Sequence, residues 1–154
     1  MGRGISVKTF LRGTRKEQQV ELIHLICLPI PPDDLETDPI ELENVFSGAV
    51  EDIPRKYENF KVYDWGIRGK NIVNIEIGEF AEQEQAAKTG SRCRYMTLNE
   101  FAWGGEDGYI PIKLFKNDVL IHRGKTLDCL WVSKREKICA WHIEKGMAVV
   151  YLKG

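Results

Sequence analysis

Long hydrophobic runs are missing from this sequence. No apolar stretch reaches the roughly 20 residues that a membrane-spanning helix requires, so no membrane partner is expected. A basic n-region followed by an apolar h-region and a cleavage site is missing as well. Cysteine is sparse: Cys27, Cys93, Cys129 and Cys139 stand in apolar, strand-like contexts and read as free thiols of a reducing, cytoplasmic compartment. Excess charge is missing too, because a formal net charge of -1 exerts no overall pull toward nucleic acid or membrane. Neither G-x-x-x-x-G-K-[ST], G-x-G-x-x-G opening a helix, H-E-x-x-H nor G-x-S-x-G occurs. No internal repeat or low-complexity tract is visible.

What the chain has is alternation. Ile110, Ile112 and Leu114, then Leu127, Cys129 and Trp131, then Cys139, Trp141 and Ile143, then Met147, Val149 and Tyr151 recur with period two. Polar turns at residues 116–118, 134–136 and 144–146 separate them, which predicts antiparallel strands joined by hairpins. Gln19 to Leu28 adds a strand apolar on both faces, ended by the Pro29-Ile30-Pro31-Pro32 run. Phe60 to Trp65 and Asn71 to Gly78 form a further hairpin around Gly66-Ile67-Arg68-Gly69-Lys70.

Helix signals are fewer. Asp38-Pro39-Ile40-Glu41 combines an N-cap, a first-turn proline and an acid three residues after the cap, and Leu42, Val45, Phe46, Ala49, Val50 and Ile53 follow at helical spacing. A helix is therefore predicted over residues 39–52, and a shorter one over 79–88. Thr97 and Glu100 are spaced as a capping box for one helical turn. The expected architecture is α+β: a mainly antiparallel meander sheet of six to eight strands, covered on one face by these helices. A chain of 154 residues fits one domain and buries about 70% of its extended surface. Residues 1–16, rich in Gly, Arg and Lys, read as a basic mobile arm, and 17–154 as the domain.

Charge is distributed unevenly along the chain. Arg3, Lys8, Arg12, Arg15 and Lys16 precede the first carboxylate, whereas residues 33–58 are strongly acidic. The plain expectation is that the arm folds back onto this acidic stretch. Among functional candidates, Arg68 and Lys70 lie in a glycine-containing loop able to present N–H groups to an anion. Trp103 and Tyr109 flank a glycine-rich acidic loop suited to recognition. With Arg12 and Arg15 these residues outline a non-catalytic binding module, without cofactor, for a protein or nucleic-acid partner; nothing in the spacing decides between the two or sets the oligomeric state.

The competing expectation is a nuclease or phosphodiesterase dependent on Mg²⁺ or Mn²⁺, with Asp64, Glu76 and Glu79 as acids and Lys70 touching phosphate. If Trp65 pairs with Asn71, Asp64 and Glu76 share a face but stand about 13 Å apart along the hairpin, too far to bridge one ion. No D/E-x-K triplet is present to complete a familiar nuclease set. A zinc site from Cys129, Cys139 and His142 fails on parity, since residues three apart on a regular strand face opposite sides unless a bulge intervenes. The same parity separates His24 from Cys27, and Cys93 reads as an inert core thiol despite Arg92 and Arg94.

Overall fold

The alternating stretches become strands in a computed structural model that describes residues 5–27, 40–79, 96–103, 109–128 and 136–153. Among the described residues there are nine strands: β1 (Ile5–Ser6), β2 (Gln19–Cys27), β3 (Ile40–Ala49), β4 (Lys61–Arg68), β5 (Ile72–Gly78), β6 (Pro111–Lys116), β7 (Val119–Lys125), β8 (Ile138–Glu144) and β9 (Met147–Leu152). Two short helices accompany them, α1 (Val7–Phe10) and α2 (Leu98–Trp103). The fold is α+β and mostly sheet. One sheet has the order β1-β4-β5-β2-β3 and the other β7-β6-β9-β8. Neighbours are antiparallel except for the pairs β2 with β5 and β6 with β9, which are parallel.

Read from its β3 edge, the first sheet runs β3-β2-β5-β4-β1, and the second runs β7-β6-β9-β8. This is one arrangement used twice: two hairpins whose inner strands lie parallel. The irregularities recur with it. Leu22 faces Phe46 and Ile23 faces Asn44, so Val45 is bulged; Leu114 faces His122 and Phe115 faces Leu120, so Ile121 is bulged. Tyr63 and Cys139 are bulged at matching places on β4 and β8. Ser6 pairs with Lys61 before α1, and Thr97 bridges to Lys137 before α2. A 3-10 turn, Val50–Asp52, follows β3, and a helical turn at residues 126–128 follows β7. The entering amides match as well: Val50 N–H donates to the Gln18 carbonyl and Thr126 N–H to the Ile110 carbonyl. Residues 5–79 and 96–153 are thus two copies of one supersecondary unit, and the absence of a repeat expected from residue identities is corrected by the pairing.

The copies join through a reciprocal contact. Trp65 Nε1–H of the first donates to the Phe101 carbonyl of the second at 2.8 Å, and Trp141 Nε1–H of the second donates to the Phe10 carbonyl of the first at 3.0 Å. These four rings lie at centroid separations of 4.6–6.3 Å in the middle of the core. Around them the inward residues of both sheets, among them Leu22, Ile75, Ile112, Leu114 and Val150, are fully buried in one apolar cluster. Burial without unmet donors is what lets two tryptophans occupy such a place.

Several expectations change. Most of the helix expected over 39–52 is strand: β3 pairs with β2 along its whole length, and in this range only the 3-10 turn Val50–Asp52 is helical among the described residues. The apolar residues of β3 do not share one side: Leu42, 61% exposed, and Ala49 pair with Leu25 and Gln19, whereas Phe46 pairs with buried Leu22, so their three- and four-residue spacing imitates a helix without marking a face. The predicted helix at 79–88 lies outside the described residues, apart from Glu79. The basic arm is folded from residue 5 onward, with Ile5, Val7, Phe10 and Leu11 buried and Lys8, Arg12, Arg15 and Lys16 facing out. Its backbone joins residues 51–58: Lys8 N–H donates to the Glu58 carbonyl, and Glu51 N–H to that of Lys16. The expected strand at Leu127 is instead the helical turn that ends β7, and Cys129 and Trp131 lie outside the described residues.

Other readings stand. The Thr97 capping box forms, with Thr97 N–H donating to Glu100 Oε1 at 3.0 Å and Glu100 N–H to Thr97 Oγ1 at 3.2 Å. The tight turns at 117–118 and 145–146 have positive φ at both central residues, the conformation whose twist suits a two-residue hairpin.

Candidate nucleic-acid interface

Because the two units share a framework, the outward positions of their sheets can be compared one by one. In the first sheet, Glu21 and Ile23 of β2, Asn44 and Ser47 of β3, and Asn74 and Glu76 of β5 hold places that in the second belong to Lys113, Phe115, Leu120, Arg123, Val149 and Tyr151. One face is acidic and polar; the other is basic and aromatic. The framework itself demands neither set, since it is built equally well with both.

The second face has a definite geometry. Inward Ile112 and Leu114 turn Pro111, Lys113 and Phe115 outward. Phe115 stands beside Tyr151, rings 5.3 Å apart and 23° from parallel, and Tyr151 stands beside His142 at 6.2 Å and 26°. A row of near-parallel rings therefore crosses β6, β9 and β8, exposed at Tyr151 and buried at its His142 end, where Val149 is buried as well. Lys113 and Arg123 are direct cross-strand partners, and like charges directly opposite destabilise a sheet. Among the described residues neither cation meets a carboxylate. Beyond them Lys125 Nζ lies 5.3 Å from the centroid of the exposed Tyr109 ring. Parallel β6 and β9 bring the 145–146 turn to this same end of the sheet, where Gly146 N–H donates to the Lys70 carbonyl and joins the two hairpin tips.

The sequence candidates fall into separate places. Tyr109 borders the basic and aromatic face, and Lys70 reaches its end. Arg68 lies on the first sheet, where it meets Glu21 at 3.0 Å while Asn74 donates to the same Glu21 oxygen at 3.1 Å. Burial acts to raise the Glu21 pKa, but the hydrogen bonds from Asn74 and Arg68, with the Arg68 charge, outweigh it and hold Glu21 below the usual glutamate range. Arg12 rims a cleft of about 460 Å³ floored by Val7, Leu11, Val50 and Ile53. Arg15 belongs to the exposed turn beside the β8 edge. The backbone of Trp103 closes α2, and the glycine-rich loop at 104–108 lies outside the described residues, as does Cys93.

The acids are rearranged relative to the expected register. Trp65 pairs with Ile75 rather than Asn71, and Gly66 to Arg68 belong to β4, so the five-residue anion loop shortens to the turn at 69–71. Tyr63 is bulged out and 47% exposed. This bulge sets Asp64 directly opposite Glu76, where a separation of four strand steps was expected. Glu79 is odd in parity to Glu76, and its carbonyl accepts from the Tyr63 hydroxyl at 2.9 Å. Cys139 does carry the bulge that a C-x-x-H ligand pair needs, yet among the described residues no three His, Cys, Asp or Glu side chains converge as a metal group.

Lys113, Phe115, Arg123, Lys125 and Tyr151 were not singled out from the sequence. Their outward parity was readable from Ile112 and Leu114, but their adjacency rests on the parallel pairing of β6 with β9. Among the described residues no helix is long and apolar enough to cross a membrane, which says nothing of strands. Comparison with protein-family models, curated proteins and solved structures gives no match.

Proposed function

We propose that the chain is a non-catalytic binding module whose partner is single-stranded nucleic acid, held on the outer face of the β6–β9 sheet. The observation that carries this reading is the Lys113/Arg123 pair: two cations set opposite each other at a cost to the sheet, beside a row of aromatic rings, where the twin unit has Glu21 and Ser47. A phosphate between the cations removes their repulsion, and bases extend the ring row at its Phe115 end. Lys125 and Tyr109 continue the track toward Lys70. The exposed thiol of Cys139 supports a reducing, cytoplasmic setting.

Fluorescence anisotropy tests this with labelled 20-nucleotide DNA and RNA, single-stranded and duplex, at low salt. Single strands are expected to bind, and Phe115→Ala or Tyr151→Ala to weaken binding by about 5- to 150-fold, the range of one stacking contact. An anisotropy that stays flat up to high protein concentration defeats the proposal. Divalent-metal phosphodiester chemistry remains the second reading, favoured by the pairing of Asp64 with Glu76. Its signature is oligonucleotide cleavage with Mn²⁺ that stops in EDTA and in Glu76→Gln.

A further inference from the structure

The twin units also expose an anomaly at one sheet edge. β3 and β7 hold equivalent edge positions, each pairing on one side only among the described residues. On β3 the places matching Val119, Leu120 and Ile121 carry Glu43, Asn44 and the likewise bulged Val45, so the first two are polar there, the character with which natural edge strands discourage pairing. On β7 Val119, Leu120 and Ile121 are 60%, 47% and 40% exposed. The far edge of the same sheet is closed: Trp141 N–H of β8 donates to the Gly13 carbonyl at 3.2 Å, and Ile143 N–H donates to Gln18 Oε1 at 3.1 Å. Among the described residues an apolar edge is thus left open on β7, by Val119 and Leu120, whose places in the other unit are polar.

We infer that β7 is an interface for a second copy of this chain, paired antiparallel edge to edge. The strand is complementary to itself. Asp118 lies at its start, the aliphatic run follows, and Arg123 and Lys125 lie toward its end. Antiparallel pairing sets each Asp118 near the other copy's basic end and brings the aliphatic runs together across the two-fold axis. Parallel pairing stacks like charges instead, which opposes it. Pairing through this edge alone closes the assembly at two. Both basic and aromatic faces then lie on the same side of a continuous eight-stranded sheet, so a dimer offers a longer track. The dimer itself does not rest on the nucleic-acid reading and is measured without any.

Sedimentation-velocity ultracentrifugation of the full chain across a wide concentration series reads the mass directly. The expected species moves from 17.7 kDa toward twice that mass. Ile121→Lys places two cations face to face at the axis and raises the dimer dissociation constant by at least about tenfold, with an unchanged circular dichroism spectrum. Asp118→Asn, which keeps the left-handed turn conformation, raises it by about 2- to 5-fold at low salt. A monomer at every concentration overturns the inference, as does a dimer or larger species indifferent to Ile121→Lys.

Discussion

Changing both Lys113 and Arg123 to glutamine separates a site built for an anion from an ordinary charged surface. The two side chains face each other across β6 and β7 and lie beside the Phe115–Tyr151 stack. For the fold, the substitution removes a like-charge opposition, worth roughly 0.2–1 kcal/mol on such pairs, so stability rises by that order. For binding, each phosphate contact to a single strand contributes about 0.7 to the slope of log affinity against log salt. Three contacts, from Lys113, Arg123 and Lys125, give a slope near 2, hence about a 20-fold loss of affinity between 50 and 200 mM salt. With Lys125 alone the loss over the same interval falls to about threefold. Urea denaturation reads the first quantity and anisotropy titration at several salt concentrations the second. The expected pattern is a variant that folds better and binds worse. A salt slope equal to wild type, or a loss of stability, refutes the assignment of these cations to phosphate.

Trp65→Phe and Trp141→Phe each remove one Nε1–H donor and strand a buried carbonyl, of Phe101 or of Phe10. Each is expected to cost about 1–3 kcal/mol, and the two costs to agree within about 1 kcal/mol, because the contacts are equivalent in the twin units; widely unequal denaturation midpoints contradict that equivalence. Gly13 has φ 88°, and a Cβ there meets the Cys139 carbonyl oxygen at 2.6 Å. Gly13→Ala is accordingly expected to cost more than the roughly 1–2 kcal/mol of left-handed backbone alone, and a melting temperature equal to wild type speaks against this packing. Glu21 has its pKa lowered in the fold, so its contribution is present above the ordinary glutamate value of 4.5 and fades as pH falls through the lower folded value. With Arg68 largely exposed the contribution stays within about 1 kcal/mol. The stability gap between wild type and Glu21→Gln is expected to narrow between pH 6 and pH 3, and a gap that widens contradicts the sign.

Local patterns carried much of the architecture. The alternation in Ile110 to Leu114 and Met147 to Tyr151, the turns at Asn117-Asp118 and Lys145-Gly146, and the Thr97 capping box all report interactions between residues close in the chain, and such signals survive in a single sequence. Pairing partners do not. That Asp64 opposes Glu76, that Phe115 adjoins Tyr151, and that residues 40–49 extend along β2 rather than coil all rest on contacts with distant strands, aided by bulges that shift parity without leaving a mark in composition. The duplication was hidden for the same reason. A shared framework asks only that certain positions face inward, and there the units keep Phe10 with Phe101, Trp65 with Trp141 and Leu22 with Leu114. On the outward positions, where packing asks for nothing, Glu21 stands in one unit and Lys113 in the other. The apolar inward set was legible because burial imposes it locally, whereas the candidate site exists only where tertiary pairing gathers outward residues onto one face.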